Sequence, residues 1–259
     1  MRLAARALCV LLAALAAETG TARAQAPIEL CVPETARKPV LSPNSKGECL
    51  ATKTVKYETV SLPGAAELAT LDALLPHITY LESGVGGKPT VEFSGVNVQI
   101  VNGEGRTAST NGAGNLVIGY DENAGAHEQT GSHDLVLGEE QAFTSYGGVL
   151  DGYRNAITSP FASVTGGEHN TASGKSSAVS GGTFGTAGAL GAAVSGGLGN
   201  HASAYGDSVS GGRESTAAGL EANWIGGGYK NSIAGAAVRR TSIFGGKELL
   251  ATAEYEAIP

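Results

Sequence analysis

The sequence predicts an all-β solenoid: a short-coil parallel β-roll with coils of about 15 residues, preceded by a short helix. Three observations point to it. Glycine is far above ordinary use, 39 of 259 residues, while aromatics make up only 5%. Such a chain is disordered, fibrous or full of tight turns, and a hydrophobic content of 42% argues against disorder. The third is repetition: "VSGGTFGTAGALGAA" opens at Val179, and "VSGGLGNHASAYGDS" follows it at Val194. Self-similarity at a short fixed period is the mark of a solenoid.

In chain order, residues 1–24 read as a signal peptide. Arg2 and Arg6 precede the apolar run Ala7–Ala17, and Ala22-Arg23-Ala24 gives a small-x-small cleavage site before Gln25. The run is too short to span a bilayer. Its removal takes three of 17 basic residues and one of 24 acidic ones, so the mature charge is 14 minus 23, or −9. An acidic exported chain is a poor partner for nucleic acid or anionic lipid, and none is expected. The expected location is secreted, cell-surface or periplasmic.

Residues 25–63 form a Pro-rich arm with Pro33, Pro39, Pro43 and Pro63, and one strand within "TVKYETVSL". Cys31 and Cys49 flank an aperiodic stretch; export favours a disulfide between them, the alternative being two free thiols. Residues 64–83 suggest an amphipathic helix or neck. Leu68, Leu71, Leu75 and Ile78 stand at the 3-4-3 spacing of a coiled-coil seam, and Pro76 either kinks or ends it. The segment is either a helix packed on its neighbours or a short oligomeric neck.

The β-roll domain is expected over 90–246, beginning with alternation in "TVEFSGVNVQIVNG". Aligned on the first residue of each coil, Val149, Val164, Val179, Val194, Val209 and Trp224 form an inward core ladder at steps of 15. Ala172, Ala187, Ala202 and Ala217 form a second ladder on the opposite wall. The Gly pairs at 166–167, 181–182, 196–197 and 211–212 mark reversals that need positive φ. Asn155, Asn170 and Asn200 recur at one register, read as a left-handed position that Asn tolerates. Residues 247–259 are expected to cap the rod, with Trp224 filling a wider last coil.

"SVTGGEHNTASGKSSAVSGG" and "NHASAYGDSVSGG" resemble the head repeats of trimeric autotransporter adhesins. The resemblance covers roughly Leu116 to Gly246 and implies a left-handed parallel β-roll, three chains side by side, and cell adhesion. By it Val164, Val179, Val194 and Val209 match inward positions, and Gly174 and Gly219 match turn glycines. Two features depart from the family. Only thirteen residues follow Gly246, too few for a share of a barrel, so no membrane anchor is expected in the mature chain. The helical seam also precedes the roll, whereas an adhesin stalk follows its head.

Catalytic and metal motifs are missing from the sequence. His127, Glu128, His133 and Asp134 lie close together, but without the H-E-x-x-H spacing, and read as a solvated loop. "GVGGKPT" lacks the phosphate-loop pattern, and no G-x-S-x-G occurs. No cofactor, metal or catalytic residue is expected. Tyr120, Tyr146, Tyr153, Tyr205 and Tyr229 suggest either scattered rim residues or an aromatic sugar-binding stripe. The reading is an exported, non-enzymatic structural or adhesion protein, a homotrimer presenting its roll to a surface glycan or matrix protein. The alternative is a carbohydrate-binding module using those tyrosines. A polysaccharide-cleaving enzyme ranks last, since short coils leave no long loops to build a cleft.

Overall fold

The computed structural model describes residues 28–33, 57–62 and 65–259. The cleavage site before Gln25 and the Cys31–Cys49 pairing lie outside the described residues. The chain divides into two units, one up to Asn97 and one from Val98 onward. No helix among the described residues is long and apolar enough to cross a membrane.

In the first unit, β1 (Ile28–Pro33) pairs antiparallel with β2 (Tyr57–Leu62). Helix α1 spans Ala65–Leu74 and gives way to a 3₁₀ turn, Leu75–His77. Pro76, which lacks an N–H and clashes with the preceding turn, marks the stop. Strand β3 (Ile78–Leu81) then pairs antiparallel with β4 (Thr90–Phe93), Ile78 facing Phe93. This corrects two expectations. Leu68 and Leu71 are on α1, Leu75 is in the turn and Ile78 is in a sheet, so the four do not form one helical seam. And Thr90–Phe93 belongs to a hairpin, while Val96, Val98 and Ile100 form no strand; the roll does not begin at residue 90.

The second unit is a parallel β-solenoid of two facing sheets. One has ten strands, the other eight, and from Leu135 onward successive strands alternate between them, so that each coil gives one strand to each sheet. The first sheet begins with Leu116–Ile118 and carries Val136, Leu150, Val164, Val179, Val194, Val209, Ile225 and Ile243 inward. The second carries Phe143, Ile157, Ala172, Ala187, Ala202, Ala217, Ile233 and Ala251 inward. All sixteen side chains are buried. The middle of the rod is narrow because alanine faces valine there. At strand spacing the ten-strand sheet is roughly 43 Å long.

Registers at the ends differ from the sequence reading by one residue. Val149 pairs with Ser163, while Leu150 pairs with Val164 and takes the inward place. The reason is a bulge: Gly166-Gly167 lies opposite Gly152 alone. The inward step from Leu150 to Val164 is therefore one shorter than the step from Val164 to Val179. Trp224 likewise pairs with Ser208, and Ile225 succeeds Val209. One extra residue after Ala217 turns the indole to the outer face, where its Nε1–H donates to Ser210 Oγ at 2.8 Å and its ring meets Phe244 edge-on at 5.3 Å. Residues 247–259 are not a cap folded over the end: Leu250–Ala251 and Ala257–Ile258 extend both sheets in register.

Each coil has two edges. On the first, the left-handed residues are Arg154, His169, Phe184, Gly199, Glu214 and Lys230, each one before the position read from sequence. The asparagines are instead buried ties. Asn170 Nδ2 donates to the Gly166 and Gly182 carbonyls at 3.2 and 2.9 Å, and its Oδ1 accepts from Gly185 N–H at 2.8 Å. Asn155, Asn200 and Asn231 repeat this set of three hydrogen bonds, and Gln141 accepts from Asn155 N–H above them. Beside them the second Gly of each pair has positive φ, and a Cβ there would run into the carbonyl of its counterpart in the next coil.

Candidate interaction surface

The short strands leave three kinds of surface on the solenoid. The outer faces of both sheets carry small side chains in the middle coils, Ser163, Ala178, Ala193 and Ser208 on one and Thr171, Thr186 and Thr216 on the other, interrupted by His201. Alternation along a strand dictates this, since their neighbours point inward. Large and charged groups are displaced to the two edges.

The first edge holds an unbroken column, one residue per coil. Glu139 stacks on Tyr153, then Glu168, Thr183, Leu198, Arg213, Tyr229 and Lys247, each bridged to the next by parallel backbone pairing. The left-handed residues flank it. Near its start, Arg154 Nε–H donates to Glu140 Oε2 at 2.7 Å, which holds the Glu140 carboxyl below its ordinary range. Near its end, Tyr229 is ringed by cations: Lys230 at 5.2 Å, Arg213 at 5.6 Å and Lys247 at 5.9 Å from the ring centre. Arg213 and Lys230 both reach Glu214, at 2.8 and 3.4 Å.

The second edge carries Tyr146, Tyr205, Glu221 and Arg239. Arg240 bridges Glu221 at 2.8 Å and the Tyr255 hydroxyl at 3.1 Å, and Arg239 meets Glu254 at 3.2 Å. The five tyrosines therefore form no single stripe. Tyr153 and Tyr229 are on the first edge, Tyr146 and Tyr205 on the second, and Tyr120 stands alone, 94% exposed.

The His127–Asp134 stretch is a loop, as expected, with Glu128 exposed, but its end is tied into the fold. His133 accepts from Asn102 N–H at 3.2 Å, and Asp134 is buried at the second edge. Asp134 Oδ1 accepts from Gly148 N–H at 2.7 Å, and Oδ2 has no partner. Burial pushes this carboxyl up to about 6, against the opposing pull of the Gly148 hydrogen bond and the His133 charge. Among the described residues no three His, Cys, Asp or Glu side chains group as a metal site.

The charged column is legible in the sequence as the residue after each turn glycine, from Glu139 after Gly138 to Lys247 after Gly246; a frame on Val149 holds it four residues on from Tyr153 to Arg213 and slips only at Trp224. Comparison with protein-family models, with curated proteins and with solved structures gave no match.

Proposed function

We propose that this is an exported, non-enzymatic scaffold or adhesion protein that presents the faces and edges of a rigid β-roll to a surface glycan or matrix protein. The observation that supports it most is the economy of the coils. Val164, Val179, Val194 and Val209 stand in one register, so every coil between them closes in the same short length. The rod there projects side chains but no long loops, repeated at strand spacing. Repetition of weak contacts along a stiff rod suits attachment to a repetitive polymer, where many small contributions act together. The likeness of Ser163–Gly182 to adhesin heads supports the same reading, by analogy of fold. The scatter of the tyrosines over two edges favours it over a tyrosine-lined sugar stripe.

The experiment is to expose the purified protein to arrays of glycans and matrix proteins and to locate it in fractionated producing cells. Saturable binding to at least one class, with the protein outside the cytoplasm, is the expected result. Absence of binding at tens of micromolar, or a cytoplasmic location, overturns the proposal.

A further inference from the structure

The first-edge column reads acid, tyrosine, acid, threonine, then leucine, base, tyrosine, base. Turned end for end about the point between Thr183 and Leu198, it is its own complement. Glu139 takes the place of Lys247, Tyr153 that of Tyr229, and Glu168 that of Arg213. Successive members are one strand spacing apart, so all pairs match in distance as well as in sign. We infer that this edge is an isologous interface at which a second copy of the chain docks antiparallel through its own first edge.

Three further observations support the partner and its direction. Glu139 and Glu168 have no ion pair among the described residues, although cations crowd the other half of the same column. At the centre Phe184 is 54% exposed and Leu198 38% exposed, and the reversal sets Phe184 of each copy against the partner's Gly199. That makes an apolar middle between charged ends, the anatomy of a protein interface. In the flanking column the reversal brings Arg154 opposite Lys230, but Glu140 and Glu214 already neutralise them at 2.7 and 3.4 Å. At the ends Glu140 and Glu248 meet, a second like-charged contact; Glu140 is engaged by Arg154, and Glu248 has Lys247 at 3.9 Å.

A parallel pairing is the poorer match. It would set each column residue against its own sequence neighbour, repeating contacts each chain already makes, such as Arg213 with Glu214, and would put Glu139 on Glu140. The antiparallel strip is roughly 34 Å long and about 10 Å wide, about 700 Å² over both copies, which is below the size of a stable interface and in the range of transient ones. Its association should therefore be micromolar and strongly weakened by salt.

The test is sedimentation velocity on the purified full-length protein at about 50 µM in about 20 mM salt, repeated in about 0.5 M salt. A dimer in low salt that dissociates in high salt is expected. Glu168→Lys and Arg213→Glu each place like charges opposite one another twice, and each should weaken the dimer about tenfold or more. An equimolar mixture of the two variants should recover it as a heterodimer. There the two substituted side chains face each other with opposite charges, and the two native side chains, Glu168 and Arg213, do the same. Circular dichroism melts identify any variant that fails to fold, and recovery in the mixture excludes that cause directly. A wild-type monomer, a trimer, a dimer indifferent to both reversals, or a mixture no better than its components each overturns the inference.

Discussion

The two half-turns of a coil are built to different tolerances. From Val164 onward, the passage from first sheet to second is always eight residues: Val164 to Ala172, Val209 to Ala217, Ile243 to Ala251. The return passage is seven in the middle coils, eight from Ala217 to Ile225 and ten from Ile233 to Ile243. The invariant half carries the asparagine ties and the glycine column. The variable half carries a mixed buried set, Ser177, Asp207, Asn223 and Thr241, whose bonds differ from coil to coil. From Gly167 to Gly228 the invariant half packs a positive-φ glycine on the next coil's backbone carbonyl, a contact that leaves little room for an extra residue. The variable half repeats no such glycine, and its buried side chains, Asp207 among them, tie coil to coil with different partners each time.

The largest break in this comparison is expected from the glycine column. Gly197 has φ of +89°, and an added Cβ would meet the Gly212 carbonyl, which cannot yield because it belongs to the next coil's backbone. Gly197→Ala should destabilise by about 3 kcal/mol or more in urea unfolding. Its neighbour Gly196 has open space and no positive φ, so Gly196→Ala should change stability by less than about 1 kcal/mol. Equal effects would show that the column does not fix the half-turn.

Next comes the tie itself. Asn170→Ala leaves the Gly185 amide and the Gly166 and Gly182 carbonyls without their side-chain partner. A loss of about 2–4 kcal/mol is expected, measured as a shift of the urea midpoint. A loss below about 0.5 kcal/mol would mean that water replaces the amide at this edge.

The variable half offers a pH test. At its buried position Asp207 has both oxygens occupied, by Asn223 and by Ala204 N–H, whereas Asp134 uses only one. The Asp134 carboxyl titrates near 6 in the fold and near 3.8 when unfolded, so the folded protein holds the proton more tightly. Its contribution is therefore fully present below about pH 3.8 and is lost as pH rises through about 6, a change of roughly 1–3 kcal/mol. Asp134→Asn should remove that dependence: relative to wild type, the variant gains stability between pH 4 and pH 7. Parallel pH profiles for the two proteins would refute the assignment.

Much of this is legible in the sequence, for a physical reason. The fixed period survives because each coil templates the next, and Ala172 to Ala217 stand where the alanine pattern puts them. The frame fails at the ends. Val149 and Val164 are also one full period apart, so the bulge at Gly166 leaves no mark in the count. Asparagine is visible, but its identity fits a left-handed turn and a buried tie equally well; only the backbone angles separate them. Pro76 signals the end of α1, while the pairing of Ile78 depends on Phe93, a partner on a separate strand beyond the "GVGGKP" break. The charged column is the hardest case. Its members are a whole coil apart and change chemistry from one coil to the next, so no repeated residue type marks them, even though the step is a regular 15 from Tyr153 to Arg213.

The smallest effect should come from lengthening the permissive half-turn. The longest return passage runs from Ile233 to Ile243, with Gly235, Ala236 and Ala237 exposed at its tip. Val238 follows, 3% exposed, and plugs the space the detour opens. The tip has no polar side chain to tie one coil to the next, and its backbone bond is the local one from Val238 N–H to Gly235 O at 3.1 Å. One glycine inserted between Ala236 and Ala237 therefore adds only loop-closure entropy, about 0.5 kcal/mol or less. The same residue inserted between Gly196 and Gly197 would pull Asn200 Nδ2 from the Gly196 carbonyl it reaches at 2.8 Å and slide the glycine column out of step. Thermal unfolding of the two insertion variants should therefore separate clearly, the first near wild type and the second far below it. If both melt together, length is not what distinguishes the half-turns, and the asparagine ties hold no register.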